Sequence, residues 1–159
     1  MQRLAVRIAR WLKGKVPPDE EIEIVTVVPT NTKGQVLLVR RTKDDDSRPG
    51  EWECPGGHRD PGESLLETAK RELSEEIGVD ILLQPGREYF TLREGGFGVM
   101  LKGLVLDEKI DLEPEEHDRY VWVNPRDIHK FHPVPPDFHE EVTALLRKSQ
   151  HLRQRVVSR

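Results

Sequence analysis

Three glutamates near the end of a predicted helix are the residues of this sequence best suited to chemistry. Glu75 and Glu76 follow Glu72 by three and four positions, so the three side chains share an arc of roughly 100° on the helix surface. Carboxylates at this spacing repel one another by about 0.2–0.5 kcal/mol per pair, and near a helix C-terminus each opposes the helix dipole by roughly 0.3–1 kcal/mol. One interpretation is a solvated acidic face; the other is chelation of a cation.

The residues around these glutamates favour chelation. Gly56 and Gly57 allow main-chain carbonyls to approach the helix closely. Glu63 adds an acid before the helix, and Arg71 lies inside the acidic cluster as an orienting partner. Oxygen atoms that converge from a glycine turn and one helix face suit Mg²⁺, which prefers octahedral oxygen coordination and keeps some water ligands for phosphate oxygens. The pattern therefore predicts a divalent-cation site.

The helix that carries these residues is marked at both ends. Ser64 with Glu67 three positions later is typical of a capping box, and Gly78 is typical of a C-terminal stop. The predicted buried stripe of the helix consists of Leu66, Ala69, Leu73 and Ile77.

The rest of the chain predicts an α/β fold. A short helical turn is predicted at residues 126–129 and a longer helix at 137–150. Strands before, between and after helices indicate a mixed β-sheet between helices on both faces. The predicted strands are residues 22–28, 36–39, 51–54, 81–83, 88–92, 97–106 and 119–123.

Both ends of the chain depart from the main domain, which we place at residues 19–150. Residues 1–18 are basic with apolar positions at helical spacing, and predict a basic amphipathic helix. Packing on the domain or on a partner subunit is the favoured interpretation of this helix; contact with an anionic surface and a targeting role are the alternatives. Residues 151–159 are predicted to be a C-terminal tail.

Composition argues against several classes of protein. The 159 residues carry a net charge of only −4 although 34% of them are charged, so there is no DNA-binding signature. Cys54 is the single cysteine, which favours a reducing compartment. The apolar runs are too short to span a bilayer. We therefore expect a cytoplasmic protein, present as a monomer or a homodimer.

Residues 57–79 resemble the complete Nudix box. The segment reads Gly57, five residues, Glu63, seven residues and then Arg-Glu-Leu-Ser-Glu-Glu-Ile-Gly-Val. Seven specified identities would coincide by chance at about 10⁻⁸ per window, so the sequence is identified as a MutT-like member of the Nudix hydrolase superfamily. The resemblance implies a Nudix-type α/β/α sandwich. It also implies hydrolysis of a nucleoside diphosphate linked to another group, with Mg²⁺ or, as a substitute, Mn²⁺.

The resemblance further implies a role for each residue of the box. Glu72, Glu75 and Glu76 would supply the metal carboxylates, assisted by the main-chain carbonyl of Gly56. One of the three glutamates would act as general base, and the sequence does not assign that role to a particular one.

Roles for four further residues follow from the resemblance by position. Arg71 and Glu63 would brace the loop against the helix. An additional metal carboxylate is predicted at Glu116, in the loop before a late strand, with an ordinary hydrophilic loop as the alternative. A contact with a substrate phosphate is predicted at Arg41, with an ordinary surface charge as the alternative.

Four residues outside the box are candidates for substrate contacts. Trp52 and Trp122 would form a stacking platform for the base, or else belong to the core or to the pocket wall. Asp137 and His139 lie where some relatives read the base. A loop at the mouth of the pocket is a better interpretation of the local histidines than a zinc site.

The leading functional hypothesis is a Mg²⁺-dependent hydrolase that converts a nucleoside triphosphate, normal or damaged, to the monophosphate and pyrophosphate. The first alternative is an enzyme for nucleotide sugars, ADP-ribose or dinucleoside polyphosphates. The second, from another class, is a non-catalytic nucleotide-binding or regulatory module that keeps the fold.

Overall fold

A computed structural model describes residues 7–9 and 16–157 of the chain. Two α-helices and eight strands make up the regular structure of this part, together with 3₁₀ turns at Asp19–Glu21 and Pro125–Lys130. The helices are α1 (Leu65–Ile77) and α2 (Phe138–Val157). The strands are β1 (Arg7–Ala9), β2 (Ile22–Thr30), β3 (Val36–Arg41), β4 (Trp52–Glu53), β5 (Gly56–His58), β6 (Ile81–Leu92), β7 (Phe97–Val105) and β8 (His117–Val123).

The described strands form one mixed sheet. Its main path runs β1-β6-β7-β2-β3-β4, while β5 pairs with β2 and β8 pairs with β3. The central pair, β2 and β7, is parallel, and the pairs made by β3 with β4 and β8 are antiparallel. Since β3 contacts both β4 and β8, residues far apart in sequence meet at its C-terminal end.

A helix covers each face of this sheet. On one face, α1 packs its apolar side on residues such as Val25 and Leu37. On the other face, Phe138 and Leu145 of α2 pack on Leu38 and its neighbours. Alternate residues of β3 therefore enter different cores, as expected for a strand whose side chains alternate between the faces of a sheet. The predicted α/β/α sandwich is confirmed.

Two local predictions are corrected by the structure. Leu65 is buried in α1 whereas Leu66, placed in the stripe from the sequence, is 42% exposed; Leu65 lies four residues before Ala69 and so shares its face. The two strands predicted at residues 81–83 and 88–92 are one strand, β6, with an irregular register between Gln84 and Arg87. A bulge lets a strand continue past a proline, which has no N–H for the ladder.

The chain ends also differ from expectation. Arg7–Ala9, inside the predicted N-terminal helix, form a strand that pairs with β6; an uncovered strand edge offers unpaired backbone groups to such a segment. The remainder of residues 1–15 lies outside the described residues, and so does that part of the helix prediction. At the other end α2 continues to Val157, so most of the predicted tail is helical.

Neither helix in the part of the chain that the structure describes has the length and apolar character needed to cross a membrane.

Candidate active site

The two ends of α1 fix where its glutamates lie. Ser64 Oγ accepts a hydrogen bond of 3.1 Å from the Glu67 N–H, and the Glu67 carboxylate accepts one of 2.7 Å from the Ser64 N–H. Gly78 ends the helix in the left-handed region, with φ of 68°, where a residue with a Cβ would be strained. The predicted capping box and stop are confirmed, and the acidic cluster occupies the last two turns.

The three helix glutamates differ in burial. Glu76 is 7% exposed and Glu72 is 9% exposed, whereas the Glu75 side chain is 61% exposed. Glu76 Oε2 accepts a hydrogen bond of 3.2 Å from the Gly56 N–H. Burial, reinforced by the charges of Glu53 and neighbouring carboxylates, raises the pKa of Glu76 well above its ordinary value. Burial also raises the pKa of Glu72, although Arg71 opposes this shift.

Two glycines let the chain in front of α1 come this close. Gly56 and Gly57, placed in a glycine turn from the sequence, belong to β5, which pairs with β2. A Cβ on Gly57 would lie 2.5 Å from the Glu72 carboxylate, and one on Gly56 would lie 2.2 Å from the Val25 carbonyl oxygen. Since such distances are shorter than van der Waals contact, position 56 needs glycine because backbone is in the way, whereas a Cβ at position 57 would push the Glu72 carboxylate aside.

Arg71 and Glu63 form the brace that the sequence predicts. Arg71 Nε donates to Glu63 Oε1 at 2.6 Å and Nη2 donates to Glu63 Oε2 at 3.0 Å. The same guanidinium donates to the His58 carbonyl at 2.9 Å and to Glu72 Oε1 at 2.9 Å. The hydrogen bond from Arg71 lowers the pKa of Glu63 to about 2. The loop, the brace and a cluster carboxylate are therefore one hydrogen-bonded unit.

Another carboxylate, Glu53, whose side chain is 12% exposed, adjoins this unit and was missed by sequence reasoning. One of its oxygens accepts a hydrogen bond of 2.9 Å from Arg41 Nη1 and lies 3.0 Å from His117 Nε2, and the other forms an ion pair of 3.1 Å with Arg48 Nη2. Burial alone would raise the pKa of Glu53, but these partners outweigh it and lower the pKa. No local pattern signals this cluster, because it forms only when β3 pairs with β4 on one side and with β8 on the other.

Glu116 lies beside the helix glutamates, as predicted. A carboxylate oxygen of Glu116, one of Glu76 and a ring nitrogen of His117 all lie within 4.8 Å of one another. The loop is anchored by the Thr42 N–H, which donates to the Glu116 carbonyl at 3.1 Å, and by the Glu113 N–H, which donates to the Glu76 carbonyl at 2.9 Å. These two backbone hydrogen bonds hold the loop with Glu116 against the end of α1.

The donor set suits a hard divalent cation. Carboxylate oxygens are the ligands that Mg²⁺ and Mn²⁺ prefer in proteins. Glu76 is almost fully buried among other carboxylates, and its pKa is raised because the charged form is poorly accommodated. A bound cation would relieve that cost. The residues Glu72, Glu75, Glu76 and Glu116 therefore fit the metal predicted from the sequence.

Of the residues predicted to contact substrate, only Arg41 lines the adjoining pocket between β5 and α2. Its guanidinium is already paired with Asp45 and Glu53 in the structure. The described lining consists of Ile24, Thr26, Arg41, Arg48, Glu53, Cys54, Gly56, Gly57, His58, Phe90, Pro135 and Phe138.

The other four candidates lie away from this lining. Trp52 packs edge-on against Phe131, with ring centroids 5.2 Å apart, and Trp122 packs on the core beside α1. His139 Nε2 lies 3.2 Å from the Phe131 carbonyl oxygen. The carbonyl of Asp137 accepts from the Glu141 N–H at the start of α2. Packing and helix initiation occupy these residues in this structure.

The fold and the site resemble those of known proteins. A model of the NUDIX domain family matches residues 13–146. The chain is 34% identical over 98 residues to an uncharacterized Nudix hydrolase of Yersinia pestis, a match that covers 60% of the chain and 54% of the relative. The chain thus spans about half the length of curated relatives from Yersinia and Listeria. It is also 29% identical over 120 residues to the CTP pyrophosphohydrolase of Escherichia coli. That match covers 73% of the chain and 85% of the relative.

A solved structure adds a likeness of fold and sequence. The crystal structure of a MutT protein from Methanosarcina mazei matches with a TM-score of 0.67 and 31% identity, over 79% of this chain and 93% of that protein. The family match spans most of the chain, and the box residues within it meet at one site. This chain therefore belongs to the Nudix domain family.

Proposed function

We propose that this chain is a divalent-metal-dependent hydrolase that cleaves a phosphoanhydride bond in a nucleoside diphosphate linked to another group. The observation that carries the proposal is the position of Glu76, buried at 7% exposure among the carboxylates of Glu53, Glu72 and Glu116. A fold without metal chemistry has no physical reason to hold so many acids together. When bound, Mg²⁺ or Mn²⁺ would polarise phosphoryl oxygens and lower the pKa of an attacking water molecule.

In this scheme the residues of the chain hold the metal ion and orient the groups that bind it. Glu72, Glu75 and Glu76 present oxygens from α1, and the carbonyl of Gly56 is proposed to add another. Arg71 fixes the orientation of Glu72 through the hydrogen bond of 2.9 Å between them. A carboxylate at the site accepts the proton of the attacking water as general base.

The pocket beside the glutamates supplies positive charge for the substrate. Arg41 and Arg48 both line it, and a guanidinium donates two parallel hydrogen bonds to a phosphate more readily than an ammonium does. We infer that Arg41 contacts a phosphate oxygen of the substrate while Glu53 keeps its guanidinium in place.

For the substrate, we propose a nucleoside triphosphate that is converted to the monophosphate and pyrophosphate. One of the similar proteins supports this choice over larger substrates. The CTP pyrophosphohydrolase aligns over 85% of its own length, so the likeness extends well beyond the box.

A substrate panel with Mg²⁺ tests the proposal. CTP, the other nucleoside triphosphates, oxidised triphosphates, nucleotide sugars, ADP-ribose and dinucleoside polyphosphates are incubated separately, and products are separated by ion-exchange chromatography. Monophosphate and pyrophosphate from a triphosphate are expected. Turnover confined to a sugar or dinucleotide substrate would replace the substrate class but keep the chemistry, whereas binding without turnover would identify a non-catalytic module.

A further inference from the structure

His117, the first residue of β8, has one ring nitrogen that its surroundings leave unused. The residue is only 1% exposed. Nε2 lies 3.0 Å from Glu53 Oε1, whereas Nδ1 is buried and has no hydrogen-bond partner among the residues that the structure describes. A buried polar atom without a partner destabilises the fold, so this nitrogen is a feature that needs a physical reason.

The partner of Nε2 determines what Nδ1 offers. Glu53 also accepts a hydrogen bond from Arg41 and forms an ion pair with Arg48, and these two guanidinium groups keep its carboxylate ionised. An ionised carboxylate only accepts hydrogen bonds, so Nε2 carries the proton that it shares with Glu53. In a neutral imidazole the other nitrogen then presents a lone pair. In that form, which is the form that binds metals, Nδ1 has a lone pair available to a cation.

Two carboxylates lie close to the imidazole of His117. One of its ring nitrogens lies within 4.8 Å of carboxylate oxygens of both Glu76 and Glu116, and we take this nitrogen to be Nδ1, because Glu53 engages Nε2. Ligands of one octahedral ion lie about 3 Å apart when adjacent and about 4 Å apart when opposite. A lone pair and two carboxylates at such spacing attract a cation and repel one another without it.

We propose that Nδ1 of His117 joins Glu76 and Glu116 in a mixed nitrogen–oxygen position for a first-row transition ion such as Mn²⁺. The inference rests on the proposed function, because it describes one position of the same divalent-metal site. Glu53 is the positioning residue: it accepts the Nε2–H and fixes the ring, which is the usual arrangement around a metal-binding histidine. An imidazole ligand favours transition ions over Mg²⁺, which keeps to oxygen.

The proposal is tested by electron paramagnetic resonance of Mn²⁺ bound to the purified full chain without substrate. Pulsed spectra record the coupling of the ion to nitrogen nuclei, and a second sample carries ¹⁵N in its histidines only. We expect a ¹⁴N coupling that changes to the ¹⁵N pattern in the labelled protein. His58→Gln is the matched control, since His58 is the histidine that lines the adjoining pocket, and it should keep the coupling.

A substitution at His117 gives a quantitative second arm. His117→Gln should weaken Mn²⁺ binding by about tenfold to a hundredfold and weaken Mg²⁺ binding less, with titration of free Mn²⁺ as the measurement. The labelled wild-type spectrum remains decisive if this variant does not fold.

The outcomes separate this inference from the proposed function. Bound Mn²⁺ without nitrogen coupling would overturn the role of His117 and leave the carboxylate site standing. A coupling that disappears in His58→Gln would move the nitrogen ligand to His58 and likewise overturn it. A wild-type chain that binds no Mn²⁺ at all would contradict both this inference and a metal-dependent hydrolase.

Discussion

Arg71 and Glu63 are joined by two hydrogen bonds, 2.6 Å from Nε to Oε1 and 3.0 Å from Nη2 to Oε2. Glu63 lies in the loop in front of α1, so these bonds connect the helix to that loop. Arg71 also donates to the carbonyl of His58, the last residue of β5. Planar, bidentate pairing of this kind gives direction as well as energy. The orientation of Glu72, which accepts from the same guanidinium, therefore depends on a residue nine positions earlier in the chain.

The first prediction concerns acid stability. The folded-state pKa of Glu63 is depressed from an ordinary value of 4.5 to about 2. A depressed carboxyl pKa contributes stability that is fully present above the unfolded value and is lost as the pH falls through the folded value. We expect the melting temperature of the wild-type chain to fall more steeply between about pH 4.5 and pH 2 than that of Glu63→Gln. Parallel curves for the two proteins over this range would show that the brace does not hold the Glu63 charge.

The second prediction concerns the contact between Gly57 and Glu72. A Cβ at position 57 would meet the carboxylate at 2.5 Å, so Gly57→Ala should displace Glu72 and weaken Mg²⁺ binding by about tenfold or more. Titration calorimetry measures the affinity.

Gly103→Ala is the matched control for this change. Gly103 is also a strand glycine, and an added Cβ would meet Ile81 in the core at 3.0 Å. This variant should lose stability while Mg²⁺ affinity stays unchanged. Equal loss of affinity in both variants would attribute the effect to general destabilisation.

The third prediction is that Mg²⁺ stabilises the fold. A ligand that binds only the native state at one hundred times its dissociation constant adds about 2.7 kcal/mol, which corresponds to a rise in melting temperature of about 5–10 °C for a domain of this size. Differential scanning calorimetry in increasing Mg²⁺ measures the rise.

Two neighbouring acids provide the control for the metal dependence. Glu116→Gln should reduce the rise, because Glu116 adjoins Glu76, whereas Glu115→Gln should leave it intact. An unchanged melting curve for the wild-type chain over the whole titration would contradict chelation.

Patterns among neighbouring residues predict the helix that carries the site, because its ends depend only on local structure. The ends of α1 follow from Ser64, Glu67 and Gly78, whose capping roles depend only on residues within a few positions. The Glu63 to Arg71 brace and the position of Glu116 were also predicted, through the resemblance to the Nudix box and its flanking loop. With these elements in place, the three glutamates lie in the last two turns of α1, as the sequence predicts.

The part of the site that could not be predicted depends on pairing between strands that are far apart in the sequence. Glu53 and His117 are 64 residues apart and meet only because β3 separates β4 from β8. The two tryptophans depend on the same long-range pairing. The sequence leaves open whether Trp52 and Trp122 stack on the base or pack in the core, and in the structure both pack against the buried clusters. A pattern of period two shows that a residue faces a sheet surface, not which helix covers that surface.

The measurement that tests the account most directly is the turnover of a nucleoside triphosphate in Mg²⁺ by Glu76→Gln beside the wild-type chain. Because the pKa of Glu76 is raised by burial, its charge destabilises the metal-free fold near neutral pH, and removing that charge should keep or raise the melting temperature. Turnover should nevertheless fall by about a hundredfold or more, since one charged group at the reacting centre is lost. A folded Glu76→Gln protein with near wild-type turnover would contradict the claim that these carboxylates hold the catalytic metal.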